Sequence, residues 1–152
     1  MFPVAPVSSS RTSKALRALA DRDMRRLGLH LGQNHVLAVL WDDDGRTPGE
    51  MAAALNVTTP TIVKMATRMA GAGLLERRRD EHDNRLVRLW LTERGRALRE
   101  PVEADRKALS DKVTADLTAA ERTHLMSALA KIQRAAADLL GGPIDHTDAI
   151  PD

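Results

Sequence analysis

Thr47-Pro48-Gly49-Glu50-Met51-Ala52-Ala53-Ala54-Leu55-Asn56-Val57-Thr58-Thr59-Pro60-Thr61-Ile62-Val63-Lys64, continued through Arg77-Arg78-Arg79-Asp80-Glu81-His82-Asp83-Asn84-Arg85 to Thr92, is the stretch whose reading decides the fold. Thr47-Pro48-Gly49-Glu50 is a capping box with proline at the first helical position: the threonine hydroxyl accepts an amide and Glu50 reaches back. Met51, Ala52 and Leu55 point inward, Asn56 suits a left-handed C-terminal residue, and Val57 packs the turn. Thr58 then caps a second helix whose Ile62, Met65, Ala66 and Met69 have the spacing of a buried stripe, and Gly71-Ala72-Gly73 stops it. Leu74-Leu75 and Leu86-Val87-Arg88-Leu89-Trp90-Leu91 flank a polar segment and predict two antiparallel strands, with Val87, Leu89 and Leu91 on one face and Arg88 and Trp90 on the other. Helix, turn, helix and charged hairpin in that order are the pattern of a winged helix-turn-helix.

Working outward, the flanks are helical. Residues 1–12 are rich in Pro and Ser and are expected to be a flexible lead-in. From Ser13 the positions Leu16, Leu19, Ala20, Met24 and Leu27 fall near one helical face, and Gly28 is a stop. Val36 to Trp41 form an apolar block ended by Asp42-Asp43-Asp44-Gly45, a turn cluster. Thr92-Glu93-Arg94-Gly95 opens a long helix, with Leu98, Val102, Leu109, Val113 and Leu117 at heptad-like spacing and a kink expected at Pro101. Thr118-Ala119-Ala120-Glu121 is a second capping box before a last helix carrying Leu125, Leu129, Ile132, Ala136 and Leu139, which Gly141-Gly142-Pro143 ends. The organisation read this way is a flexible 1–12, a helix in 13–30, a winged helix-turn-helix in 31–92, further helices in 93–141 and a flexible tail in 142–152. The fold class is mainly α with a small two-stranded β-wing.

Composition narrows the function. A chain of 152 residues with 43% hydrophobic and 29% charged residues is one folded unit rather than a disordered one. The net charge of +2 hides an uneven distribution: Lys and Arg against Asp and Glu number 6 against 2 in residues 1–29, 1 against 4 in 30–59, 10 against 6 in 60–100 and 6 against 9 in 101–152. Positive charge gathers at the N-terminus and around the hairpin, which suits a polyanion, although a solvated charged surface would give the same count. With no cysteine, disulfides, cysteine-based zinc sites and thiol-based redox sensing are excluded. The five histidines share no ligand spacing, so no metal and no cofactor is expected. No apolar run approaches the roughly 20 residues of a membrane span, and no basic-then-apolar leader opens the chain, so a cytoplasmic location is expected.

The helix-turn-helix and the hairpin are where a nucleic acid would be read. A short helix and a tight turn let the second helix enter the major groove with its N-terminal residues at base edges. Thr58, Thr59, Thr61 and Lys64 stand there, with Arg68 a turn further on. Threonine hydroxyls and helix N-terminal amides suit phosphate, and a threonine methyl suits the thymine methyl. Taken alone, the same residues are equally a cap and a solvated face. The hairpin shifts the balance, because a loop with Arg77, Arg79 and Arg85 suits the narrow minor groove, and Asp83 can hold Arg85 in one rotamer.

These residues resemble a family. Thr47-Pro48-Gly49-Glu50-Met51-Ala52, Val57-Thr58-Thr59-Pro60-Thr61, Gly71-Ala72-Gly73-Leu74-Leu75-Glu76-Arg77 and above all Asp83-Asn84-Arg85 leading to Leu91-Thr92-Glu93-Arg94-Gly95 are similar to the MarR family of bacterial transcriptional regulators, over about residues 13 to 140. The resemblance implies that Thr58, Thr59, Thr61 and Lys64 face the major groove and that Arg85, steadied by Asp83, is the wing arginine. It implies too that the first, fifth and sixth helices form a dimerisation region, in keeping with their surplus of apolar surface. A symmetric dimer would set two recognition helices about 34–36 Å apart on a palindrome. The expected function is a homodimeric repressor on double-stranded DNA. Small aromatic or anionic effectors, bound in such proteins between the dimerisation helices and the winged domain, would fall near His30, Gln33, His35 and Trp41.

Two other functional classes compete with this reading. There is no Gly-rich phosphate loop, nucleophile elbow or paired-carboxylate arrangement, so no catalytic residues are expected and the chain is not read as an enzyme. A winged-helix protein-interaction module would keep this fold without needing Arg85 or a palindromic target.

Overall fold

The computed structural model describes residues 9–30 and 32–141. Seven helices and one hairpin follow in the order α1 (Ser9–Arg26), α2 (Gln33–Asp42), α3 (Pro48–Leu55), α4 (Thr59–Gly71), β1 (Leu75–Arg79), β2 (Val87–Leu91), α5 (Glu93–Ala97), α6 (Arg99–Val113) and α7 (Ala119–Leu140). The mainly helical class with a two-stranded wing is as expected. The first helix opens at Ser9 rather than Ser13, so the supposed lead-in is helical over its last residues. Residues 1–8 and the tail expected at 142–152 lie outside the described residues.

Local chemistry accounts for the element ends. The Thr47 hydroxyl accepts the Glu50 amide at 3.2 Å and the Glu50 carboxylate accepts the Thr47 amide at 2.8 Å, while Asn56 turns left-handed with φ 55°. The Thr118–Glu121 box repeats this at 3.2 and 2.8 Å. Such a cap contributes about 1 kcal/mol by satisfying amides that a helix leaves unpaired. The long fifth helix of the sequence reading is two, α5 and α6, divided at Leu98. Pro101 is the cause: it lacks the N–H that would bond the Ala97 carbonyl, and its ring crowds that carbonyl. Leu117, expected on this helix, lies beyond it, because after Thr114 the amides of Ala115 and Leu117 bond the carbonyls three residues back, Lys112 and Thr114, at 3.4 and 3.0 Å in place of the four-residue helical bond.

The core lies beneath the wing and among α2, α3 and α4. Val36, Leu37, Leu40, Met51, Ile62, Met69, Leu74 and Leu89 are fully buried there. α1 reaches this core through Met24 and Leu29, and α6 through Val102. β1 and β2 pair antiparallel with Leu75 opposite Leu91, Arg77 opposite Leu89 and Arg79 opposite Val87. A bridge from Arg46 to Leu89, with the Leu89 amide on the Arg46 carbonyl at 2.8 Å, extends the ribbon by one residue towards α3. A two-stranded ribbon is marginal alone, so this docking is what holds it.

The three aspartates before Gly45 each hold a different arginine. Asp42 meets Arg99 at 3.3 Å, Asp43 meets Arg46 at 3.1 Å and Asp44 meets Arg96 at 3.1 Å. Asp44 also accepts the Leu91 amide at 2.9 Å, ending β2. Gly45 is required where it stands: φ is +76°, and a Cβ would run into the Trp90 ring.

α7 differs from every other long helix. None of its residues is buried, and Leu125, Met126, Leu129, Ile132, Leu139 and Leu140 are all exposed, Leu139 to 88%.

Candidate nucleic-acid interface

The buried stripe of α4 sets which residues it presents. Ile62, Ala66 and Met69 face the core, so at 3.6 residues per turn the opposite side carries Pro60, Val63, Lys64 and Thr67, all exposed. Of the residues expected on that side, Thr59, Lys64 and Arg68 are exposed. Thr58 is half-buried at the N-cap, and its hydroxyl exchanges a 2.9 Å hydrogen bond with the Thr61 hydroxyl instead of capping a backbone amide. Thr61 itself is 9% exposed, which corrects the expectation that it faces outward. Thr61 flanks the buried stripe, and its hydroxyl is turned to that of Thr58 at the helix start rather than outward. Val63 and Thr67 were missed, although the Ile62-Ala66-Met69 spacing already pointed to them.

The wing arginines separate by strand periodicity. Arg77 and Arg79 lie within β1 rather than in the loop, exposed and on the ladder face shared with Leu75, Leu89 and Leu91. Arg78 takes the other face, with its guanidinium 5.7 Å from the Trp90 ring centroid and 3.0 Å from Glu76. The loop closes through the Asp80 amide on the Leu86 carbonyl at 2.9 Å. At its tip the Asp83 carboxylate accepts both the backbone amide of Arg85 at 3.0 Å and its side-chain Nε at 3.2 Å. The Arg85 side chain is 91% exposed while tied this way, so it extends into solvent in one direction.

Asp80, which the sequence reading left unassigned, organises this loop. It accepts the amides of His82 at 2.7 Å and Asp83 at 3.0 Å, and pairs with Arg88 Nε. The Arg88 guanidinium first, then the two amides, hold its carboxyl down to about 2.

The four residues expected around an effector do not gather. Gln33 is buried and its side-chain oxygen accepts the His30 amide at 3.1 Å, a local bond at the start of α2. His30 is exposed. His35 and Trp41 do share a cleft of about 110 Å³ between α2 and α6, with Val102, Glu103 and Arg106 on its other side. The Trp41 indole N–H is already committed to the Gly95 carbonyl at 2.9 Å, so Trp41 offers a ring and not a donor.

With this geometry, likeness to known proteins becomes informative. The family model described as "MarR family" matches residues 29–87, the stretch from Leu29 to the start of β2. The Bacillus subtilis HTH-type transcriptional repressor MdtR is 30% identical over 113 residues, covering 74% of this chain and 73% of that protein. The chain belongs to the MarR family. Among solved structures, the MarR family transcription regulator SP03579 is 28% identical with a TM-score of 0.77, over 88% of each chain. The Staphylococcus aureus MepR–DNA complex shares the fold at a TM-score of 0.76 and 23% identity, over 83% of this chain and 93% of that one. Against several other curated relatives the match is partial, spanning 33%, 60% and 65% of their length. The MarR family model ends at Val87, so it takes in α2 to β1 and the whole wing loop but neither α1 nor α7 of this MarR-family chain.

Proposed function

We propose that this MarR-family chain is a sequence-specific regulator of transcription that binds double-stranded DNA as a homodimer, represses from a palindromic site, and is released by a small ligand. The observation that carries the DNA half is the joint presentation of two elements from one winged helix-turn-helix. α4 offers Thr59, Val63, Lys64 and Thr67 at its outer side, and the Asp83-held Arg85 extends from the wing. In the groove geometry of helix-turn-helix proteins, the helix reads base edges while the wing arginine enters the adjacent minor groove. A fold neighbour held on DNA, MepR, supports the same reading.

Homodimerisation rests on α7. A helix with six exposed large apolar residues and no buried one needs a partner, and a second copy supplies the same face by two-fold symmetry. The cleft holding His35, Trp41 and Arg106 is the place for a small aromatic or anionic effector, with a ring to stack on and a guanidinium to pair. No helix among the described residues is long and apolar enough to cross a membrane.

Selection of bound fragments from random or genomic DNA, followed by gel shifts at graded salt, tests the reading. Enrichment of an inverted repeat with a steep loss of affinity as salt rises is expected from phosphate contacts. Failure to enrich any sequence at low salt would favour a winged-helix protein-interaction module instead.

A further inference from the structure

Arg88 sits where a ladder alone would not place it. It stands directly opposite Arg78 in the β1–β2 register, and like charges facing each other across strands are destabilising. Its own contacts explain the position. Nε donates to the Asp80 carboxylate, Nη1 donates to the Gly45 carbonyl at 2.9 Å, and the Glu50 carboxylate lies 3.8 Å away. Each partner belongs to a different segment of the chain. Gly45 is in the turn leading to α3, Glu50 is the capping-box residue of α3, and Asp80 opens the wing loop.

The connection runs on to the tip. The Asp80 side chain, 10% exposed, fixes the amides of His82 and Asp83, and Asp83 in turn fixes both amide and Nε of Arg85. One planar guanidinium therefore joins the loop that carries Arg85 to the helix pair that carries α4. A guanidinium can hold a carboxylate and a carbonyl at once through its forked donors, which an ammonium cannot do with fixed geometry.

We propose that Arg88 is a positioning residue for DNA reading, setting the placement of Arg85 relative to α4 by tying Asp80 to Gly45 and Glu50. The proposal rests on the DNA-binding reading above. It makes the wing and the recognition helix act as one rigid reader, so that the entropy of ordering the wing is lost on folding and not on binding.

A double-mutant cycle on the full chain tests it, using the DNA fragment the wild-type protein selects. Arg88→Gln is expected to weaken binding by about tenfold, within the range of coupling between neighbouring side chains. Arg88→Lys, which keeps the charge and loses the fork, is expected to weaken it to a similar degree. In an Arg85→Ala background the Arg88→Gln change is expected to cost nothing further, because the residue it positions is gone. Additive losses would overturn the proposal while leaving DNA binding intact, as would full affinity in both Arg88 variants. Absence of wild-type DNA binding would overturn both readings. Circular dichroism and thermal melting of each variant separate loss of fold from loss of placement, and Arg88→Lys remains informative if Arg88→Gln fails to fold.

Discussion

One carboxylate oxygen of Asp83 accepts two hydrogen bonds from Arg85, from the backbone amide at 3.0 Å and from Nε at 3.2 Å. Both partners are on the surface, and an exposed ion pair contributes at most about 1 kcal/mol to stability. Its effect is therefore on direction. Arg85→Ala is expected to leave the melting temperature essentially unchanged while weakening DNA binding by about 1–3 kcal/mol. Asp83→Ala, which frees the rotamer and keeps the charge, is expected to weaken it by less. Fluorescence anisotropy with the selected DNA measures both, and full affinity in Arg85→Ala would remove the wing from the interface.

Val63 is 37% exposed on the outer side of α4, where Pro60 is the other apolar side chain. The Thr67 hydroxyl beside it is spent on the Val63 carbonyl at 2.9 Å. This part of the helix is suited to a thymine methyl. Replacing thymine by uracil at single positions of the binding site is expected to weaken wild-type binding at one position per half-site, and Val63→Ala is expected to abolish that discrimination. Persistence of the discrimination in Val63→Ala would assign the methyl to another residue. Lys64→Ala, by contrast, is expected to lower the salt slope by about 1 if the ammonium meets a phosphate.

The α3 capping box sits at the start of an eight-residue helix, too short to be stable without its cap and its packing. Thr47→Ala is expected to destabilise the fold by about 1 kcal/mol in urea unfolding, whereas Thr47→Ser, which retains the hydroxyl, costs much less. Equal losses in the two variants would show that the threonine methyl, not the hydrogen bond, matters.

The Asp80 carboxyl is held down to about 2 from an ordinary 3.8, by Arg88 first and then by the His82 and Asp83 amides. A carboxyl depressed in the folded state stabilises that state above its unfolded value, and the contribution fades as pH falls from about 4 through about 2. Carboxyl carbon chemical shifts followed against pH are expected to give this low midpoint in the wild type. In Arg88→Gln the midpoint is expected to rise towards the ordinary value, and an unchanged midpoint would show that the amides alone depress it.

Leu129 and Ile132 lie on α7 at 51% and 65% exposure. If a second copy covers them, Leu129→Glu or Ile132→Glu buries an unpaired charge at the contact, which is strongly disfavoured. Sedimentation is expected to show a dimer for the wild type and a monomer for these variants. DNA affinity is expected to fall with the dimer, since each half-site is then bound alone. A wild-type monomer at the same concentration would refute the pairing.

Much of this molecule was legible because its boundaries are written in local chemistry. Thr47-Pro48-Gly49-Glu50, Asn56, Thr118-Ala119-Ala120-Glu121 and Gly141 determine helix ends through bonds within a few residues, and the structure places each at an end. Alternation along Val87-Arg88-Leu89-Trp90-Leu91 determined the inward face of the wing. The Asp83–Arg85 pair, two residues apart, was readable for the same reason.

What the sequence left open depends on neighbours far along the chain. Thr61 is 9% exposed once α4 is packed against α3 and β1, and Trp41 lost its donor to Gly95, 54 residues away. Arg88 shows the limit most clearly. Its partners lie 8, 38 and 43 residues distant, at Asp80, Glu50 and Gly45, and no periodicity joins them. By itself the sequence determined the order of elements, their caps and the wing arginine, since those follow from short-range hydrogen bonding and side-chain period. Only the tertiary structure decided how the wing is fastened to the helix pair and that Thr61 is covered, because folding brings distant charges together and decides which residues flanking a buried stripe are closed off.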